Sequence, residues 1–252
     1  MINDLKNLNL SSSYSSADSN VLKEFYIPSL SATKEYYRIT GYFSAASLSA
    51  AAKGVSELLE NGGSIKLITG FFTNNRDILA AEEARKNPQK IIEEISKIID
   101  EFGSIKDIFT KECIKAFAWL LAKGLLEIKV ATPLAKYQDR YESIFHQKIG
   151  IMQDTFGNKL SFSGSINETG AAWLSNIENF KVFREWNDSE KKYFESDNET
   201  FFRLWNNLSD KVSVIDLDEA LKNKLILLAP KARSDINLEI LKFVVLIFRQ
   251  NW

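Results

Sequence analysis

A chain of 252 residues with 45% apolar and 26% charged residues is long enough for one large α/β domain or two small ones, with a substantial core. The formal charge of -1 leaves no whole-molecule field that announces a nucleic-acid binder, so any contact with phosphates has to come from a local patch. A single cysteine, Cys113, excludes an internal disulfide and fits a reducing cytosol, and one histidine beside one cysteine offers no zinc-type ligand set.

The polar start Met1-Ile2-Asn3-Asp4-Leu5-Lys6 and the serine-rich run from Ser11 to Ser19 do not have the form of a signal peptide. The longest apolar run, near Phe243 to Phe248, is too short to span a bilayer, so a cytoplasmic protein without a membrane segment is expected. Residues 1–20 carry few large apolar groups and read as a loose N-terminal arm. The first clear strand is Tyr36 to Phe43, aromatic and β-branched. A helical stripe follows (Leu48, Ala52, Val55, Leu58, Leu59), closed by Asn61-Gly62-Gly63, and Ser64 to Thr69 is a second strand. Strand, helix and strand with short joints make a βαβ unit, hence a parallel pairing.

Between Arg76 and Lys123 the pattern is helical. Asn87-Pro88 has the form of a helix start, with Ile91, Ile95, Ile98 and Phe102 on one face. A further helix from about Asp107 turns Ile108, Ile114, Phe117 and Leu121 inward and stops at Gly124. These stripes read as core packing. Leu125 to Thr132 is a strand, and Pro133 to Glu142 is a polar loop carrying Lys136 and Arg140, two cations that either steer a phosphate or simply face solvent.

Polar chemistry concentrates between Phe145 and Trp186. Ile144 to Met152 is a strand by composition, so His146, Lys148, Gly150 and Met152 share one face while Phe145, Ile149 and Ile151 share the other. A lysine within an apolar strand is costly to bury unless it meets an anion, and Gly150 on its face leaves room for a ligand. Gly157-Asn158 makes a turn, and Lys159 to Ser163 runs back into Gly164-Ser165-Ile166-Asn167. Ser165 and Asn167 either hydrogen-bond phosphate oxygens or cap the helix suggested by Glu168 to Trp173. Glu178 shares a strand face with Phe180 and Val182 and needs a partner; a histidine N–H is a suitable one. Asp188 to Leu208 is a long aromatic helix, Asp218 to Leu228 a shorter one, and Ile236 to Trp252 is apolar.

His146-Gln147-Lys148, Gly164-Ser165-Ile166-Asn167 and Asn176-Ile177-Glu178-Asn179 together resemble the HxK, GSxN and E motifs of the phospholipase D superfamily, over roughly residues 20 to 210. The subgroup most similar is the nuclease-like modules of bacterial restriction and DNA-processing proteins, especially those ahead of DEAD/DEAH-type helicase domains. The family pattern expects an aspartate where Gln153 stands, with Asp154 one place later, which bears on the structural role of that acid more than on the His, Lys and Asn chemistry.

The resemblance implies an α-β-α sandwich, a mixed, largely parallel sheet flanked by helices on both faces. The domain is expected over 21–210, and 211–252 is expected to be a C-terminal helical extension, a truncated connection to a missing helicase. The implied activity is metal-independent cleavage of DNA, or RNA, through a phosphohistidine on His146 with no cofactor. Lys148, Ser165 and Asn167 would hold the non-bridging oxygens, Glu178 would orient the histidine, and Lys136 and Arg140 would bind substrate. Because the reaction wants two histidines and the chain has one, a homodimer sharing its site across a two-fold axis is expected. A helicase partner follows from the subgroup, and no GKT or GKS phosphate loop makes this chain an ATPase itself. The alternatives are a catalytically inactive nucleic-acid-binding or dimerisation module of a helicase system and, more remotely, a lipid headgroup phosphodiesterase.

Overall fold

The computed structural model describes residues 4–41, 58, 62–70, 96, 100, 108–133, 145, 147–165, 178–217 and 219–237. Eight strands form one sheet: β1 (Ser13–Ser15), β2 (Glu35–Thr40), β3 (Ser64–Gly70), β4 (Leu126–Pro133), β5 (Ile149–Gln153), β6 (Lys159–Gly164), β7 (Asn179–Arg184) and β8 (Val212–Asp216). Their order across the sheet is β1-β7-β6-β5-β2-β3-β4-β8. The helices are α1 (Ile27–Ala32), entered through a π-helical turn at Leu22–Tyr26, α2 (Ile108–Ala122), α3 (Asp188–Trp205) and α4 (Glu219–Ile226).

The expected parallel unit is present: Tyr36 stands opposite Ile65 in the β2–β3 pairing, and Ile65 opposite Leu126 in the β3–β4 pairing. Parallel pairing is confined to β2, β3 and β4, however, and every other junction in the sheet is antiparallel. The sheet is therefore mixed as expected but not largely parallel. The physical reason is the short turn at Gly157-Asn158, which returns β6 beside β5, and the similarly direct pairing of β6 with β7.

Helices cover both faces. On one, Phe25, Tyr26 and Leu30 from the π-turn and α1 join Ile114, Phe117 and Leu120 of α2 and Leu221 and Leu225 of α4 against Tyr36, Met152, Leu160, Phe162 and Phe180. On the other, Phe194, Phe201, Leu204 and Trp205 of α3 cover Ile39, Ile68, Ile149 and Ile151. Strand alternation separates the two sets, which is why Ile149 and Ile151 lie in one cluster and Met152 in the other.

Two expectations about the ends of the domain are corrected. Residues 4–20 are not loose: Leu5 and Tyr14 are buried, and Ser13–Ser15 pairs antiparallel with β7. The Leu5 N–H donates to Asp154 Oδ2 at 3.0 Å, so the arm is tied to the β5–β6 turn. Few apolar residues were needed because Leu5, Leu10 and Tyr14 are buried against the domain. Nor does the domain stop at 210: β8 adds an antiparallel strand beyond β4, with Ile215 opposite Val130, and Val-Ser-Val-Ile supplies the β-branched run a strand favours. Only α4 of the expected helical extension is described as a helix longer than a single turn. The stripes at 45–59 (Leu58 apart) and at Ile91 to Phe102 lie outside the described residues.

Candidate active site

The strand register gathers the candidate residues at one end of the sheet. β5 begins where β2 ends, since Ile149 faces Ile39; β6 ends there too, with Ser163 opposite Ile149; and β7 begins there, with Phe180 opposite Gly164. Lys148, Ser165 and Glu178 therefore flank the same edge, although 30 residues separate the first from the last. It is the edge at which the parallel strands end, and the sheet order reverses there: the chain builds β3 and β4 on one side of β2 and then returns to place β5 on the other. Such a reversal leaves a crevice between diverging connections in open α/β sheets.

Lys148 is buried, 4% exposed, and Glu178 is 8% exposed. Burial lowers the Lys148 ammonium to about 8, the nearby Arg38 guanidinium pushes it the same way, and the Glu178 carboxylate opposes both. Lysine, arginine and glutamate thus act on one another electrostatically near the sheet end. A buried ammonium of this kind suits contact with an anion.

Arg38 was not among the residues singled out from the sequence. It is fully buried in the middle of β2, opposite Gly150, and its guanidinium carbon lies 5.1 Å from the centre of the Phe162 ring. A cation within Tyr36-Tyr37-Arg38-Ile39-Thr40 is the same signal that drew attention to Lys148, a charge in an apolar strand, and reading both by that rule would have found it. The open space expected at Gly150 is not open. A Cβ there would come within 2.1 Å of the Phe162 ring, so the missing side chain makes room for an aromatic ring rather than for a ligand.

Gly164 and Ser165 build a strand junction. A Cβ on Gly164 would lie 2.2 Å from the Asn179 carbonyl oxygen, so the bare backbone is what lets β7 approach. The Ser165 N–H donates to that same oxygen at 2.9 Å, and the Ser165 hydroxyl accepts from the Asn179 N–H at 3.0 Å and donates to its carbonyl at 3.3 Å. The Glu178 N–H in turn donates to Ser16 Oγ at 2.9 Å. Ser165, expected to hold phosphate oxygens, is engaged as a latch between two strands, and its hydroxyl proton already has an acceptor.

Gln153, where the motif resemblance leads to the expectation of an acid, is the last residue of β5. The adjoining Asp154 is buried and accepts from the N–H groups of Leu5, Phe156 (2.8 Å) and Asn158 (2.9 Å) and from Asn158 Nδ2 (2.9 Å). Burial alone would raise its carboxyl, and the bonds from Asn158, Leu5 and Phe156 more than offset that, leaving it lowered. The structural work of an acid after β5 is done by Asp154 in this chain. His146, Asn167, Lys136 and Arg140 lie outside the described residues. Among the described residues no group of three His, Cys, Asp or Glu side chains is gathered as a metal site, and no helix is long and apolar enough to cross a membrane.

No protein-family model and no curated protein matches the sequence. Among solved structures, NucT from Helicobacter pylori is similar at a TM-score of 0.46 and 14% identity over 82% of this chain and 98% of its own. Nuc from Salmonella typhimurium, a phospholipase D family member, gives 0.44 and 17% over 82% and 99%. Phosphatidylserine synthase from Haemophilus influenzae gives 0.45 and 14% over 94% of this chain and 45% of its own. Likeness at these scores makes no statement about chemistry.

Proposed function

We propose that the chain is a metal-independent phosphodiesterase that cleaves nucleic acid, DNA in the first instance, through a covalent intermediate on His146. The observation that carries this reading is Lys148: an ammonium 4% exposed, whose pKa both Arg38 and Glu178 shift. An anionic substrate suits a buried ammonium beside a guanidinium, because its charge favours the protonated lysine while it is bound.

In this mechanism a ring nitrogen of His146 attacks phosphorus. The N–P bond forms as the P–O bond to the leaving nucleotide breaks, and the leaving oxygen takes a proton from the His146 of a second copy of the chain. Water then attacks the phosphohistidine, giving its proton back to that second histidine as the N–P bond breaks. Lys148 and Asn167 hold the non-bridging oxygens, and Glu178 fixes the tautomer of its histidine. Ser165 holds the junction from which Asn167 extends. Lys136 and Arg140 guide the strand toward the site. The single histidine of the chain is what requires two copies. Restriction, defence or DNA processing beside a helicase is the setting that the sequence resemblance favours.

The decisive experiment incubates plasmid and single-stranded oligonucleotide with wild type and His146→Ala in excess EDTA. Cleavage by the wild type alone is expected. Activity abolished by EDTA, or kept by His146→Ala, would sink the mechanism, and binding of both substrates without cleavage would favour the inactive-module reading instead.

A further inference from the structure

A cleft of about 330 Å³ opens at the same end of the sheet on the α3 side. Polar Gln147, Thr200, Arg203, Ser209, Asp210 and Lys211 line it together with apolar Leu204 and Val212. Its position follows from the chain path. Gln147 sits between His146 and Lys148, and β8, which begins just after Lys211, starts where β4 ends, at the edge that carries Lys148. Lys148 is buried at this end of the sheet, while its neighbour Gln147 is exposed and lines the cleft.

The cleft's chemistry is that of an anion subsite. Arg203 and Lys211 are exposed cations, and Asp210 is the carboxylate among the described lining residues. Among the described residues the Arg203 side chain makes no hydrogen bond or ion pair, although α3 ends two residues later and its carbonyl accepts from Leu208. The Ser209 hydroxyl accepts from the N–H groups of Lys211 at 3.3 Å and Val212 at 3.2 Å, which fixes the oxygen and leaves its O–H to donate into the cleft. Thr200 and Gln147 add neutral polar groups. A guanidinium, an ammonium and preset neutral donors are the set that receives one phosphate with its sugar, and the volume lies at the lower end of the range for small-ligand sites.

We propose that this cleft is a phosphate subsite for a nucleic-acid strand, taking a backbone phosphate next to the one presented to Lys148. The proposal rests on the phosphodiesterase reading, which brings a polymer to the sheet end. It adds the α3 side of the sheet end to the path of that polymer and gives Arg203 and Lys211 the contact.

The test is the affinity of the full chain for a short fluorescently labelled single-stranded oligonucleotide, by anisotropy, over a series of salt concentrations. The proteins are wild type, Arg203→Gln/Lys211→Gln and Asp210→Asn. On single strands each lost phosphate contact lowers the slope of log affinity against log salt by about 0.7, so the double variant is expected to bind more weakly with a slope shallower by roughly 1.4 if each cation neutralises one phosphate. Asp210→Asn is expected to bind more tightly than wild type. Unchanged affinity and slope in the double variant, or weaker binding with an unchanged slope, would overturn the proposal, as would a wild type that does not bind the oligonucleotide. Hydrolysis of bis(p-nitrophenyl) phosphate by wild type in EDTA separates the two ideas. Hydrolysis with an unaltered double-variant slope removes the cleft and keeps the phosphodiesterase, while a shallower slope without hydrolysis does the reverse.

Discussion

The guanidinium of Arg38 lies 5.1 Å from the centre of the Phe162 ring, and that ring fills the space where Gly150 has no side chain. Three adjacent strands thus contribute one residue each to a stack beneath the candidate site. The ring also packs edge-on against Phe25 and Tyr26, at 5.1 and 5.4 Å between centres. Displacing it disturbs the core and the site together. Gly150→Ala puts a methyl group 2.1 Å from ring carbons and is expected to destabilise the fold by about 1–3 kcal/mol, as overpacking does. Urea unfolding followed by tryptophan fluorescence measures it, and a loss below about 0.5 kcal/mol would show that the ring moves aside freely.

Lys148 has its ammonium lowered to about 8, chiefly by burial and then by Arg38, against the opposing pull of Glu178. If the ammonium holds phosphate oxygens, turnover should decline as pH rises through about 8, where the proton leaves. Arg38→Gln removes a repelling charge and moves that limb to higher pH; Glu178→Gln removes an attracting one and moves it lower. Both variants also lower the maximum rate, but the opposite directions of the two shifts in a pH–rate profile are what a merely structural role would not produce.

Lys148→Met should cost at least about a hundredfold in kcat, the magnitude of losing one preorganised group that stabilises the transition state. Ser165→Ala should cost less than tenfold in rate but about 0.5–1.5 kcal/mol in stability, since its hydroxyl serves the Asn179 backbone. Steady-state kinetics set beside unfolding curves for the two variants separate the roles. A Ser165→Ala enzyme as slow as Lys148→Met would return the serine to the chemistry.

Asp154 holds the 154–158 turn and the N-terminal arm with its carboxylate. Its folded pKa is lowered, so its stabilisation is fully present above the unfolded value of about 3.9 and is lost as pH falls through the folded value. Asp154→Ala leaves three buried or half-buried N–H groups without an acceptor and is expected to destabilise by about 3 kcal/mol or more. Asp154→Asn should also unfold with a weaker dependence on pH in the acid range. Chemical denaturation at pH 7 and at successively lower pH is the measurement.

A site shared between two copies makes a catalytically silent copy an inhibitor. Excess His146→Ala, mixed with wild type and allowed to exchange subunits, should bring wild-type activity toward zero in proportion to the fraction of mixed dimers. Sedimentation checks the dimer itself. A strictly monomeric wild type that still cleaves would remove the shared site while leaving the His146 chemistry to be explained within one chain.

The sequence by itself determined what depends on neighbouring residues. The alternation from Ile149 to Met152 divided Ile149 and Ile151 from Met152, and the two clusters on opposite sides of the sheet have that division, although the strand begins at Ile149 rather than at 144 as expected. The length and aromatic spacing of Asp188–Trp205 likewise made a helix that covers one face, and the βαβ pattern placed β2 beside β3. Only the tertiary structure decided which strands lie side by side. Nothing near Gly150 says that a ring twelve residues later will occupy its space, or that a cation from β2 will stack on that ring. Nothing near Ser165 says that its hydroxyl will meet the Asn179 backbone. The same holds for β1, whose few apolar residues read as an arm until β7 presents an edge for it to pair with. Periodicity is local, and a short stretch of chain enforces it alone. Contacts between strands distant in sequence depend on how the whole sheet is ordered, and that ordering brings Arg38 beside Phe162 and Ser165 against the Asn179 backbone.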